Sequence, residues 1–501
     1  MSSDHQSTRM LLTAALLVTT PAAAVLASPP AMERERTEEA AAGILVAQAE
    51  QGAQAEQGTM DAGGIDQTDD EEGPRASADS RNPQGMGHTD QSDMATPDAF
   101  RFPGHMASVW SKQDVEGLVQ DTYVTLPLMI HDQEFFEEGI YVWDAWPIRN
   151  PDGSIAVIDD WVVMVALSAD MAEVDETGWD FFTLSTWRYW LTRDGEWRPG
   201  GVIFERDEAL GSRQWAGSTF YDADSQTVTF YYTATGRPDA ENIDDDMPDY
   251  PVSIHNEAAG RPSIEQRLAA VSASVSSSGE GITFHDFGEH EILLEADGFW
   301  YDTRETYLSG EAVYGFRDPE YMVDPHTGKE HILFTANAAG VAGPYNGVVG
   351  MATKTDDGSW ALDPPIIVSS GVNSQLERPH VIYREDGAYL FFSTHDFTFG
   401  PEVHGPRGLY GFYSPTGSLA GRWLPLNKHG LVAANPHDNP AQVYSFLVLP
   451  DGLVMSYLNH TYGFDLDPAN EDREFYGGPA PMFRIDVDGE TAVVSEAENA
   501  R

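Results

Sequence analysis

The chain has 501 residues, with 81 acidic against 28 basic side chains and a formal net charge of −53. That balance excludes a phosphate-tracking nucleic-acid partner, which needs basic patches. Hydrophobic residues at 41% and aromatics at 11% are enough for a sizeable core, and the absence of cysteine excludes disulfides, thiolate metal sites and cysteine nucleophiles.

Arg9 precedes an apolar, Ala-rich run from Met10 to Leu26, with small residues at Ala22 to Ala27. This is the shape of a signal peptide, expected over 1–28. The run is short for a stable membrane span and no later segment approaches one, so a secreted or periplasmic protein with no membrane partner is expected. Residues 29–98 are rich in Glu, Asp, Gln, Ala, Gly and Ser with almost no aromatics. Such a stretch cannot offset its ordering entropy by burial, and a disordered acidic linker is expected there. At Phe100 aromatics and β-branched residues appear, so the folded domain is placed at 99–495, with 496–501 as a tail. Acidic residues are scattered through this domain too. High ionic strength would screen their repulsion, which points to salt adaptation.

Within the domain, short apolar runs alternate with tight-turn dipeptides. Trp161 to Leu167 and Thr227 to Thr233 are two such runs; Asp386-Gly387 and Asp451-Gly452 each lie between others. More Asp-Gly pairs begin at Asp152, Asp194, Asp297, Asp357 and Asp488. Asp-Gly between apolar runs marks hairpins, because Gly supplies the positive φ without strain. Many hairpins along one long chain indicate an all-β fold, for which a propeller is a natural solution. No repeated motif sets the blade number. Arg261–Val275, ambiguous in period, is the one candidate helix.

Three acidic motifs lie far apart in an apolar or aromatic context. In Trp143-Asp144-Ala145-Trp146-Pro147 a carboxylate sits between indoles, costly to bury unless paired or used. In Arg317-Asp318-Pro319 the proline biases Asp318 to extended backbone, and the neighbouring guanidinium can hold it ionised. In Gln375-Leu376-Glu377-Arg378-Pro379 an acid and an arginine again precede a proline, at the entrance to a hairpin strand. Each is weak alone. Together they match the need of retaining glycoside hydrolysis for a carboxylate nucleophile and a carboxylic acid, with a third carboxylate to stabilise the transition state.

These motifs, with Arg193-Asp194-Gly195, Gln214-Trp215-Ala216-Gly217-Ser218 and the Tyr321 to Asn337 hairpin, resemble glycoside hydrolase family 68, the levansucrases, inulosucrases and related β-fructofuranosidases. The resemblance runs from about Phe100 to Val494. It implies a five-bladed β-propeller with an axial active-site pocket, sucrose as donor and fructan as acceptor. It implies Asp144 as nucleophile, Glu377 as general acid/base and Asp318 as transition-state stabiliser. Trp143, Trp215, Arg317, Gln375, Arg378, His395 and Tyr444 are the implied substrate-binding residues.

Several positions depart from the family pattern. Ala216 stands where a serine often follows the tryptophan, removing a potential hydrogen bond to the nucleophile. Gln375 stands two positions before the general acid, where an acidic residue is common. Ser374 replaces an Asp that helps hold a structural calcium in the Bacillus-type enzymes, so neither a cofactor nor a metal is expected. His395 takes the place of an arginine near the glucosyl subsite, as in the Gram-negative branch. His285 and His290 fit no zinc spacing, and Asp465 to Asp472 lacks the glycine and terminal Glu of an EF-hand loop. Levan-forming transfer, plain hydrolysis, inulin formation and an inactive sugar-binding propeller are the readings to separate.

Overall fold

The computed structural model describes residues 101–496 apart from 103–104, 130–135, 173–184, 206, 212, 237–264, 305, 308–313, 342, 344 and 462–473. The expected signal peptide and acidic linker, the stretch at 465–472 rejected as an EF-hand loop and most of the expected tail lie outside these residues.

Five antiparallel sheets follow one another along the chain as five propeller blades. Blade I is Ile140–Pro147, Val162–Asp170, Thr186–Thr192 and Arg198–Val202. Blade II is Arg213–Asp222, Thr227–Thr235, Gln266–Ser278 and Gly281–His285, with Glu291–Leu294 added on Gln266–Ser278. Blade III is Phe316–Val323, Glu330–Asn337, Gly347–Lys354 and Trp360–Val368. Blade IV is Glu377–Arg384, Gly387–Thr394, Gly408–Ser414 and Leu424–Pro425, with Leu431–Ala434 also on Gly408–Ser414. Blade V is Val443–Val448, Leu453–Thr461, Phe483–Asp488 and Thr491–Glu496, with Glu474–Pro479 on its second strand.

The all-β, five-bladed expectation holds. The Asp-Gly turns at Asp194, Asp357, Asp386, Asp451 and Asp488 join antiparallel neighbours, as expected. Asp297 does something else: its Oδ1 accepts the N–H groups of Phe299, Trp300 and Tyr301, folding a loop rather than a hairpin. The candidate helix at Arg261–Val275 is overturned. Its described part enters the strand Gln266–Ser278, paired on both sides. Tertiary pairing overrides an ambiguous local period.

The core lies between blades. One apolar cluster joins blades V, I and II through Leu447, Trp146, Trp187 and Phe230. Others join II to III, III to IV and IV to V. Blades buried on both faces explain why their middle strands read as continuous apolar runs rather than alternating ones. A segment ahead of blade I ties the outer rim. Ser108–Val109 pairs in parallel with Trp360–Val368, and buried Trp110 wedges between blades III and IV, donating its Nε1–H to His429 O at 3.1 Å. Thr125 bridges to Ala434, and Val494 N–H donates to Tyr123 O at 2.8 Å.

Candidate active site

The first strand of every blade shifts register against its neighbour at an equivalent point. Two residues face one in blade I between Trp143 and Trp146, in III between Arg317 and Glu320, in IV between Glu377 and His380, and in V between Tyr444 and Leu447. Blade II has a shorter shift between Trp215 and Gly217. A bulge frees one residue from the ladder and re-aims its side chain. In four blades that residue has left-handed backbone without being glycine: Asp144 (φ 44°), Asp318 (61°), Arg378 (51°) and Ser445 (59°). Such conformations cost of order 1–3 kcal/mol each and cluster at functional sites. Pro319 and Pro379 come next, where a missing N–H takes nothing from a ladder already broken; the extended backbone expected of Asp318 ahead of Pro319 is overturned, because the bulge holds it left-handed.

Eight of the ten sequence-expected residues therefore occupy one ring, Gln375 and His395 lying just outside the strands that carry it. Trp143, Trp215, Arg317, Glu377 and Tyr444 hold the last paired position before each bulge, and Asp144, Asp318 and Arg378 follow in blades I, III and IV. Ala216 and Ser445 complete the second set.

Asp318 is buried and its Oδ2 is fully engaged. It accepts from Thr335 Oγ1 at 2.9 Å and from Arg378 N–H at 3.1 Å, with Arg317 Nε 3.7 Å away. Its own N–H donates to Thr233 Oγ1 at 2.9 Å. Burial pushes the Asp318 carboxyl up to about 6, Arg317 opposing and Glu377 and Asp144 adding to the rise. Arg317 is clamped by Glu377 Oε1 at 2.6 Å, Gln375 Oε1 at 2.5 Å and Tyr314 O at 3.2 Å. Burial alone would lower the Arg317 guanidinium, but the carboxylates of Glu377 and Asp318 reverse that and raise it.

Glu377 Oε2 accepts the Tyr444 hydroxyl and lies 3.6 Å from His395 Nε2. Asp144 is raised above the usual carboxylate range by burial, against the pull of Arg378 and a hydrogen bond from Ser445, with Glu377 pushing it further up. Arg378 Nη1 donates to Ser445 Oγ at 2.7 Å, and its guanidinium stacks 5.1 Å from the Trp146 ring centroid. Beneath it, His380 Nε2 accepts Val448 N–H at 2.9 Å, so Nδ1 carries the proton donated to Arg378 O at 3.0 Å. Burial lowers His380 to about 3. This neutral imidazole locks the bulges of blades IV and V together.

Two expectations change in character. Gln375, expected to bind substrate, is buried and accepts a hydrogen bond from Arg317 Nη2 at 2.5 Å. The hydroxyl missing at Ala216 has a counterpart, because Ser445 of blade V supplies the hydrogen bond to Asp144. Ser445, Thr335 and Thr233 were missed from the sequence, where a lone Ser or Thr in an apolar strand carries no signal. Neither rejected histidine joins the ring: His285 pairs with Asp286 at 2.9 Å, and His290 bonds Tyr232 at 2.8 Å.

Three carboxylates and two arginines from blades I, III and IV thus meet on the propeller axis. The family model described as Levansucrase/Invertase matches residues 100–347 and 343–500. The chain belongs to glycoside hydrolase family 68. Among family 68 relatives, levansucrase LscA of Pseudomonas savastanoi pv. glycinea is 29% identical over 78% of this chain and 94% of its own length. The extracellular sucrase of Zymomonas mobilis is 28% identical over 78% and 93%. Among solved structures, the inulosucrase from Halalkalicoccus jeotgali bound to kestose is 33% identical, with a TM-score of 0.68 over 79% of this chain and 97% of that one. The Gluconacetobacter diazotrophicus levansucrase shares the fold, with a TM-score of 0.64 at 22% identity over 78% of this chain and 90% of that one.

Proposed function

We infer that this family 68 chain is a levansucrase-type fructosyltransferase that cleaves sucrose by double displacement. The observation that carries the reading is the ring of bulges bringing Asp144, Asp318 and Glu377 together. Asp144 attacks the fructosyl anomeric carbon while Glu377 gives its proton to the glycosidic oxygen, and glucose leaves. The covalent fructosyl-Asp144 is then opened by an acceptor hydroxyl, or by water, whose proton returns to Glu377. Ser445 and Arg378 favour the ionised nucleophile. Asp318 Oδ1, without a hydrogen bond among the described residues, is free to accept fructosyl hydroxyls as the oxocarbenium-like charge develops. Incubation with sucrose tests the reading: released glucose exceeds free fructose, and the difference is recovered as polymer. Equal amounts of the two sugars would make the enzyme a hydrolase; no consumption would make it a sugar-binding propeller.

A second reading of the product rests on the Halalkalicoccus protein, an inulosucrase 33% identical to this chain. Linkage analysis of the polymer separates the two products.

The role of Glu377 has its own readout. Glu377→Gln is expected to slow sucrose cleavage by about 10²–10⁴-fold. A fructosyl donor whose leaving group needs no proton should lose far less. Equal losses on both donors would remove Glu377 as the acid.

We propose further that the protein is exported and salt-adapted. The charged and then apolar start of the chain supports export, and the −53 net charge supports adaptation to salt. The melting temperature should rise from low to molar NaCl as repulsion is screened. A flat or falling trend would reject the salt adaptation.

No structural calcium is proposed. Ser374 O accepts from Asn337 Nδ2 at 3.1 Å, and the Ser374 hydroxyl donates to Thr398 O at 3.3 Å. Asn337 Nδ2 also donates to Asn346 Oδ1 at 2.9 Å, and Asn346 Nδ2 to Asp302 Oδ2 at 2.9 Å. Calcium wants several converging oxygens, carboxylates among them; amide N–H groups fill this network instead, so the residues do not fit the ion. EDTA should leave the melting temperature unchanged, and a drop of several degrees would overturn the reading that these residues hold no calcium.

A further inference from the structure

Arg407 lies just before the blade IV strand Gly408–Ser414, in a position the mechanism above does not use. Its side chain is only 5% exposed, yet its ion pair is a 3.5 Å contact from Nη2 to Asp396, itself largely in solvent. Among the described residues Nε and Nη1 are buried without a hydrogen-bond partner. A buried guanidinium so poorly compensated is destabilising, and its retention calls for a use. The backbone leaves it little freedom. The Tyr410 hydroxyl donates to Pro406 O at 2.8 Å, and at Gly408 a Cβ would stand 2.2 Å from Ala433 O.

The guanidinium sits 6.0 Å from the Phe397 ring centroid and 5.9 Å from that of Tyr444. Those two rings sandwich His395, with centroids at 4.7 and 3.8 Å and planes within 20° and 23° of the imidazole. The sandwiched imidazole points Nε2 at Glu377 and has no hydrogen-bond partner at Nδ1 among the described residues. The groups facing it are Glu377 from the first strand of blade IV, Tyr444 from blade V, Arg317 from blade III, Arg407, and Asp396 from its own turn.

We propose that Arg407 is a positioning residue for the acid/base end of the site: its charge, set behind the Phe397–His395–Tyr444 stack, keeps the imidazole neutral beside Glu377. The proposal rests on the reading of Glu377 as the acid/base. Burial, then Arg407 and Arg317, hold His395 well below its ordinary range. The benefit follows from proton sharing. A charged imidazole 3.6 Å from Glu377 would favour the imidazolium–carboxylate form, in which Glu377 lacks the proton it must deliver. Kept neutral, His395 does not compete with the glycosidic oxygen as a charged partner of Glu377, and its own Nε2 stays available to a sugar hydroxyl.

The test is Arg407→Met, with Arg407→Gln as a second neutral variant and Arg407→Lys as the charge-retaining one, each checked by thermal melting. His395 is followed by NMR of ring-labelled histidine and assigned by the signal lost in His395→Gln. In the wild type His395 should not titrate between pH 5 and 8; in Arg407→Met its titration should move up in pH, burial and Arg317 still opposing it. The value of kcat/KM for sucrose should fall about tenfold on the acid side of the profile. It should meet the wild type at high pH, where His395 is neutral in both. Arg407→Lys should restore both behaviours, and in the His395→Gln background Arg407→Met should leave the profile unchanged. A silent His395 in both neutral variants overturns the proposal, as does a loss equal at every pH. A titrating imidazole with an unmoved profile would retain the electrostatic role of Arg407 and overturn the reading of Glu377.

Discussion

Asp144→Asn is expected to reduce sucrose turnover by at least ~10⁴-fold, because an amide oxygen cannot form the fructosyl ester on which both half-reactions depend. The fold should survive. Ser445 can still bond the amide, and the left-handed backbone at Asp144 is among the conformations asparagine tolerates best. The sign of the stability change is also set. The folded state raises the Asp144 carboxyl, so its charge opposes folding at neutral pH and stops doing so below the unfolded value near 4. The variant should therefore melt no lower than the wild type at pH 7. Turnover is read as glucose release and folding by circular dichroism. Sucrose cleavage near the wild-type rate would remove Asp144 as nucleophile.

Asp318→Asn should separate stability from activity more sharply. Its carboxyl stands at about 6 in the folded protein against 3.8 unfolded, mainly through burial. The opposing contribution is absent below about pH 3.8, grows as the pH rises, and is complete above about pH 6. Two pH units correspond to roughly 3 kcal/mol, an upper figure because Arg317 and Glu377 share the charge. An asparagine oxygen can keep both Oδ2 contacts, to Thr335 and to the Arg378 N–H. The variant should be more stable at pH 7, by an amount that shrinks toward zero near pH 4. Its kcat should fall by about 10²–10³-fold through lost transition-state stabilisation. By the same titration, wild-type activity should decline as the pH falls below about 6. Melting curves between pH 4 and 8 decide the matter: a variant less stable at pH 7, or a difference indifferent to pH, contradicts the account.

Much of the site was legible because its chemistry resides in residue types. A carboxylate between two tryptophans at Asp144, and carboxylates beside Arg-Pro or Pro at Glu377 and Asp318, are unusual in apolar strands. Fold class was legible for a related reason: Asp-Gly at Asp386, Asp451 and Asp488 fixes local backbone, and a local preference shows in local sequence. The helix candidate at Arg261–Val275 failed because its strand is defined by neighbours on both sides, which no window along the chain contains.

The sequence by itself determined the three acids, their arginine neighbours and the hairpins that carry them. Only the tertiary structure decided that these belong to one fivefold repeat. The repeated feature is a register shift in each first strand, and register belongs to a pair of strands, not to one. Trp143-Asp144, Trp215-Ala216, Arg317-Asp318, Glu377-Arg378 and Tyr444-Ser445 share no residue pattern, so the blade count stayed hidden among them. The same pairing gives Asp144 its hydroxyl partner from Ser445, about three hundred residues away in the chain. It also sets Gln375 against Arg317 of blade III. A hydrogen bond between blades depends on where the ring closes, and closure rests on apolar packing of blade V against blade I.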